Sequence, residues 1–232
     1  MHVTDLLREE TVTFFSRSLQ APRYTLRQET LALIKHSLLS GEVLPGRVLS
    51  ANAIAAELGL SNSPVREALM DLEAQGLLEV VRNRGFRVRS HSVEDRKEIH
   101  EMRLIVEVAA MERLSERGLD VEEEAEARRL CAETLAPEEG NREDTVAYLD
   151  ADQDMHLYLT ALLGNQRLTE TVRSLRDQTR VGGALVHLPA EKMRHYSTEH
   201  ADLIDALVAR DRARASELMH NHLELVHGDA ID

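Results

Sequence analysis

Residues 60–76 read Leu-Ser-Asn-Ser-Pro-Val-Arg-Glu-Ala-Leu-Met-Asp-Leu-Glu-Ala-Gln-Gly. Ser63 before Pro64 marks a helix start, because the hydroxyl can cap free N–H groups and proline is tolerated in a first turn. Val65, Ala68, Leu69 and Leu72 then recur at i, i+3, i+4 and i+7, which makes one apolar face. Arg66 points off that face, and Gly76 ends the helix. A short helix with a bare arginine near its start is built to offer that arginine to something outside the fold.

The flanks give this helix a context. Residues 26–40 form a helix, with Thr25 as N-cap and Gly41 just past its end. Leu44-Pro45-Gly46 is a turn, and a short helix at 51–58 stops at Gly59. Downstream, residues 77–81 (LLEVV) and 86–89 (FRVR) are β-prone runs around Arg82-Asn83-Arg84-Gly85, a hairpin with an arginine-bearing tip. Three helices followed by such a hairpin make a winged helix-turn-helix. In that motif the N-terminal residues of the second helix of the turn enter the DNA major groove. Those residues are Ser61, Asn62, Ser63 and Arg66, and the wing tip beside them is Arg82, Asn83, Arg84 and Gly85.

The charge of the whole chain argues the other way. Its 232 residues carry 41 acidic and 28 basic side chains, a net charge of -13, whereas phosphate backbones attract basic surfaces. The charge is uneven, however. Residues 1–90 hold 11 Lys/Arg and 10 Asp/Glu, a net +1, so the remaining 17 basic and 31 acidic residues give 91–232 a net -14. Such asymmetry fits a nucleic-acid module joined to something else. The expected organisation is an N-terminal extension (1–24), the winged module (25–90), a linker (91–97) and a second domain (98–232). The extension shows Leu6, Leu7, Phe14 and Phe15 but no assignable role. One cysteine, Cys131, excludes a disulfide framework. No apolar run approaches the roughly 18 residues of a membrane span, and the first ten residues are too acidic for a signal peptide. A cytoplasmic protein without membrane partners is expected.

From residue 94 the pattern is helical, with six helices near 94–117, 121–136, 143–163, 166–186, 190–209 and 212–227. The fold class is therefore mainly α, a winged helix-turn-helix followed by an all-helical bundle. Asp152 and His156 are four apart and share one helix face. His200 and His222 lie at matching distances on either side of a turn at Arg210–Asp211, so an antiparallel hairpin brings them level. Three imidazoles and a carboxylate suit a divalent metal ion, Zn or Ni above others. Asp154, on another face, is rejected. Arg103 and Glu107 form an i, i+4 pair, which spacing alone reads as a surface ion pair.

The pieces SG..LPG, LGLS, SPVREAL, L..QGL and the Asn-Arg-Gly wing tip, over about residues 28–90, resemble the DNA-binding domain of GntR-type bacterial transcription regulators. The helical half resembles the FCD effector domain of the FadR subfamily, and six helices lean toward its VanR-like branch. Its matching pieces are Asp152-Gln-Asp-Met-His156, Gly164-Asn165, Glu199-His200 and His222-Leu223. The resemblance implies a homodimer on a palindromic double-stranded operator. It implies DNA contacts from Ser63, Arg66 and the wing, a metal at the four ligands, and a small organic acid bound with help from Arg103. One departure is Asn62, where the family often has arginine. Arginine reads guanine bidentately, whereas asparagine suits adenine or a phosphate. The reading is a ligand-responsive transcription regulator, a repressor and not an enzyme. Its alternatives are a regulator with a purely structural metal and a metal-dependent hydrolase.

Overall fold

A computed structural model describes residues 25–135 and 141–231; the expectations for 1–24 lie outside them. The chain begins with α1 (Leu26–Leu39), β1 (Val48–Leu49), α2 (Ala51–Leu58), α3 (Asn62–Ala74), β2 (Leu78–Val81) and β3 (Gly85–Val88). Thr25 and Gln28 form a reciprocal capping box at the start of α1. Ile34, Leu38, Val65, Leu69 and Leu72 pack with Leu78, Phe86 and Val88 into one apolar core. The predicted apolar face of α3 is thus the face that is buried.

Two details differ from the sequence reading. Helix α3 starts two residues earlier, with Ser61 as N-cap and no side-chain capping bond, and the Ser63 hydroxyl instead donates to Glu67 Oε1 at 2.9 Å. The hairpin also gains a third strand. The antiparallel order is β1-β3-β2, with Val48 opposite Arg87 and Leu49 opposite Phe86. Two residues are too few to show alternation, so β1 was not legible. At Gly85, φ is +117°, and a Cβ would lie 2.2 Å from the Leu49 carbonyl oxygen. Only glycine lets the wing close on β1.

The second half contains α4 (Val93–Arg103), a π-helical turn (Leu104–Val108), α5 (Ala109–Arg117), α6 (Val121–Glu133), α7 (Arg142–Ala161), α8 (Gln166–Arg180), α9 (Ala190–Val208) and α10 (Arg212–Ile231). Helix α4 begins inside the stretch expected as linker, because Ser92 and Asp95 form a capping box there. Helix α8 ends at Arg180, short of the expected 186, and Gly182 and Gly183 follow with φ of +79° and +73°. Met111, Leu114, Met155, Leu159, Ile204, Leu207, Met219 and Leu223 form the main core of this half.

The end of α8 is also a joint between the halves. Val181 sits in the winged-module core, and the Gly182 N–H donates to the Leu38 carbonyl at 3.0 Å. Asp177 is ion-paired with Lys35 of α1. Gly41 and Gly183 meet backbone to backbone, so that a Cβ on Gly41 would lie 2.9 Å from Gly183 Cα.

Candidate metal centre and nucleic-acid interface

Helix α7 carries Asp152 and His156 one turn apart, α9 carries His200, and α10 carries His222. One ligand atom from each lies within 4.8 Å of all the others. His200 Nε2 is 3.1 Å from Asp152 Oδ1, His156 Nε2 is 3.6 Å from the same oxygen, and the two Nε2 atoms are 3.4 Å apart. Atoms about 2.1 Å from a tetrahedral ion sit roughly 3.4 Å from one another, so these spacings fit a divalent cation. The donor set, three imidazoles and one carboxylate, fits as well.

Two of the three outer nitrogens are also hydrogen-bonded. His222 Nδ1 lies 2.9 Å from Glu199 Oε2, and His200 Nδ1 lies 3.2 Å from the Thr134 hydroxyl. His156 Nδ1 is 4.0 Å from Glu107 Oε2. Such partners orient an imidazole and raise its basicity toward a metal. Burial pushes His156 well below the usual imidazole value, with Arg176 adding to it, and burial lowers His200 against its bond to Asp152. Burial would raise the Asp152 carboxyl, but Arg176, with His156 and His200, holds it well below the usual range. A carboxylate and neutral imidazoles are the forms that ligate metal.

Sequence reasoning named all four of these residues and missed what surrounds them. Arg176 on α8 donates from Nε to Glu107 Oε2 and from Nη1 to Asp152 Oδ2, both at 2.9 Å. Arg103 donates from Nε to the other oxygen of Glu107 at 2.8 Å. The Arg103–Glu107 pair is therefore buried, not on the surface, and Arg103 also lines a narrow cavity beside Asp152. Arg176, Arg180, Tyr148 and Tyr196 border the same cavity, with Leu149, Leu185 and Leu188 as an apolar wall. Tyr148 Oη and Arg180 Nε are buried there without a hydrogen-bond partner among the described residues. The available signal was the recurrence of Val172, Arg176 and Arg180 at i, i+4 and i+8. That places two arginines on the buried face of α8.

At the other end of the molecule, α3 and the wing enclose a hollow of about 470 Å³. Asn52, Asn62, Arg66, Arg82, Asn83 and Arg84 line it. Asn83 turns the wing tip at φ +61°. Arg87 is tied to Glu79 at 2.8 Å, and Arg27 to Asp71. Arg66, Arg82 and Arg84, by contrast, are exposed and have no acidic partner among the described residues. Unpaired guanidinium groups facing one hollow are suited to an anionic polymer. Ser61 and Ser63 lie at the same end of α3, on the exposed side.

Comparison with known proteins identifies both halves of the chain. Residues 26–88 match the family model "Bacterial regulatory proteins, gntR family", and residues 98–225 match "FCD domain". The HTH-type transcriptional repressor GlaR of Escherichia coli K12 is 29% identical over 82% of this chain and 89% of its own length. The Nta operon transcriptional regulator of Aminobacter aminovorans is 27% identical over 76% of this chain and 81% of its own. Among solved structures, E. coli McbR/YncC superposes with a TM-score of 0.74 at 22% identity, covering 87% of this chain and 95% of that one. A GntR chain from Rhodococcus sp. RHA1 gives 0.71 at 27% identity, covering 88% and 97%.

Proposed function

This chain belongs to the GntR family of DNA-binding transcription regulators and carries an FCD domain, and from that premise we propose that it is a repressor released or engaged by a small organic acid. The acid binds in the helical domain beside a divalent metal ion, zinc or nickel. The observation that carries this reading is the junction of two features in one buried place. Asp152 of the Asp152–His156–His200–His222 cluster also lines the cavity that Arg103 lines.

A bound divalent ion supplies a Lewis-acid contact for a carboxylate oxygen. The protein's own groups do the rest. Arg103 offers its guanidinium to the acid, and Arg176 holds Asp152 in place through Oδ2 while Oδ1 faces the histidines. The leucines of the cavity wall exclude water. Helix α8 then carries the message. Arg176 and Arg180 face the cavity, and the neighbouring Asp177 grips Lys35 of the winged module. An acid that repositions α8 also repositions α1 and the DNA-reading helix packed on it. By linkage, operator binding must change acid affinity by the same factor.

On DNA, Arg66 contacts a base, Arg82 and Arg84 contact phosphate or the minor groove, and Ser61, Ser63, Asn83 and Gly85 lie along the backbone. Two copies of this surface in a cytoplasmic homodimer would read a palindrome. GlaR is named a repressor, which supports that direction of control.

The test has two readouts. Metal analysis of the purified protein should find about one ion per chain, lost in His156→Ala. A panel of small organic acids, added to protein on its selected operator, should contain one that shifts DNA affinity. Arg103→Ala should abolish that shift. The three histidines are only 1–3% exposed, which favours a second reading, a purely structural metal. Chelation that lowers Tm while leaving the acid response intact would support it.

A further inference from the structure

The first turns of α2 and α3 are joined by a side-chain bridge at the mouth of the DNA-facing hollow. Asn62 Nδ2 donates to Asn52 Oδ1. Asn52 is the second residue of α2 and Asn62 the first of α3. Neither asparagine is the cap of its helix. Ser50 caps α2 through its own hydroxyl, Ser61 occupies the N-cap of α3, and neither asparagine belongs to the apolar core. Asparagine is also a poor helix former. Two such residues meeting at the point where a helix-turn-helix enters the groove have a use outside the fold.

We infer that the Asn52–Asn62 pair is a single reading element that selects an A·T base pair in each operator half-site. The inference rests on the DNA-binding reading above and deepens it. A carboxamide has one carbonyl oxygen with two lone pairs and two N–H donors. In the bridge, Asn62 spends one N–H and Asn52 one lone pair. Each amide therefore keeps at least one donor and one acceptor on the same planar group. Adenine presents a matching pair in the major groove, the N7 acceptor and the N6 amino donor. Guanine presents two acceptors, N7 and O6, so one amide carbonyl oxygen would face another oxygen. The pair is neutral, so phosphate attraction falls to the exposed Arg66, Arg82 and Arg84 around it. Because the bridge holds both amides before DNA arrives, less side-chain freedom is lost on binding.

The test is selection of binding sites from a random double-stranded library by the full-length protein, followed by sequencing. The wild type should enrich sites with A·T at one fixed position per half-site. The preference there should be about 5- to 150-fold over G·C, the range for one bidentate contact. Asn62→Arg should move that position to G·C and leave the others as they were, and Asn52→Ala should weaken the A·T preference at the same position. Both side chains lie at the surface end of their helices, so melting of the variants checks that the fold is kept. A wild-type preference for G·C there, or a consensus untouched by both substitutions, overturns the inference while leaving DNA binding standing. If no sequence is enriched at all, the DNA-binding reading fails and takes the inference with it.

Discussion

The two halves of this chain treat charge in opposite ways. In the winged module the buried polar residues are Thr30, Ser37 and Ser40, all neutral, and the arginines that face the α3–wing hollow stand exposed, with no acidic partner among the described residues. The helical domain buries Arg103, Glu107, Arg176, Asp177 and Arg180 and three histidines, and it pairs them closely. Taking charge out of water costs several kcal/mol per ion even after relaxation. A fold needing only stability would fill that space with leucine. The buried network is therefore better understood as a site than as a stabilising device. On the function proposed above, the exposed arginines of the first half are likewise a site, one that keeps its charge in water until a polyanion replaces the water.

This contrast can be broken by substitution, and the largest effect is expected in the helical half. Arg176→Ala leaves Glu107 with one guanidinium and frees Asp152 Oδ2. The expected loss is about 3–5 kcal/mol in urea unfolding, the penalty for breaking a buried pair. Arg66→Ala should leave the same unfolding curve within about 0.5 kcal/mol, yet weaken operator binding by about 1–3 kcal/mol in anisotropy titrations. If Arg66→Ala unfolds the protein, or Arg176→Ala is silent, the contrast is wrong.

Glu199→Gln sharpens the reading of the helical half. It alters the partner of His222 Nδ1 without removing a ligand, and metal affinity by calorimetry should fall about 10- to 100-fold. An unchanged affinity would separate His222 from the metal.

The smallest effect is on pH dependence. Burial holds His156 and His200 below the usual imidazole value in the folded protein, so the unfolded chain binds more protons as pH falls through about 6.5. The stability these histidines contribute is complete above that pH and is lost below it. Tm of chelated protein should therefore be flat from pH 7 to 8 and fall toward pH 5. His91, half-buried in the segment joining the halves, is shifted the same way by burial. The check is therefore that His156→Gln makes the acid-side slope shallower. A Tm that rises on acidification would contradict the assignment.

Most of the architecture was readable because it depends on local rules. The cap at Thr25, the apolar face of α3 and the glycines past helix ends all act within a few residues. Asp152 and His156 were readable because they share a helix face. His200 and His222 were readable because an antiparallel hairpin with a short turn has predictable register. The breaks in prediction have physical causes as well. Gly182 and Gly183, both at positive φ just past Arg180, are a local stop for α8 that the sequence reading passed over. The tertiary fold adds to it, since Val181 enters the core of the other module and Gly183 meets Gly41. Residues 48–49 become a strand only because β3 is there to pair with.

The sequence by itself determined the modules, the charge division between them and the four metal-ligand candidates, since spacing along a helix and turn chemistry are properties of neighbours in the chain. Only the tertiary structure decided who completes the site. Arg176 reaches Glu107 from 69 positions away, Glu199 meets His222 from 23, and Asn62 finds Asn52 from 10. Such contacts depend on how helices pack, and burial then makes every one of those charges either paired or costly.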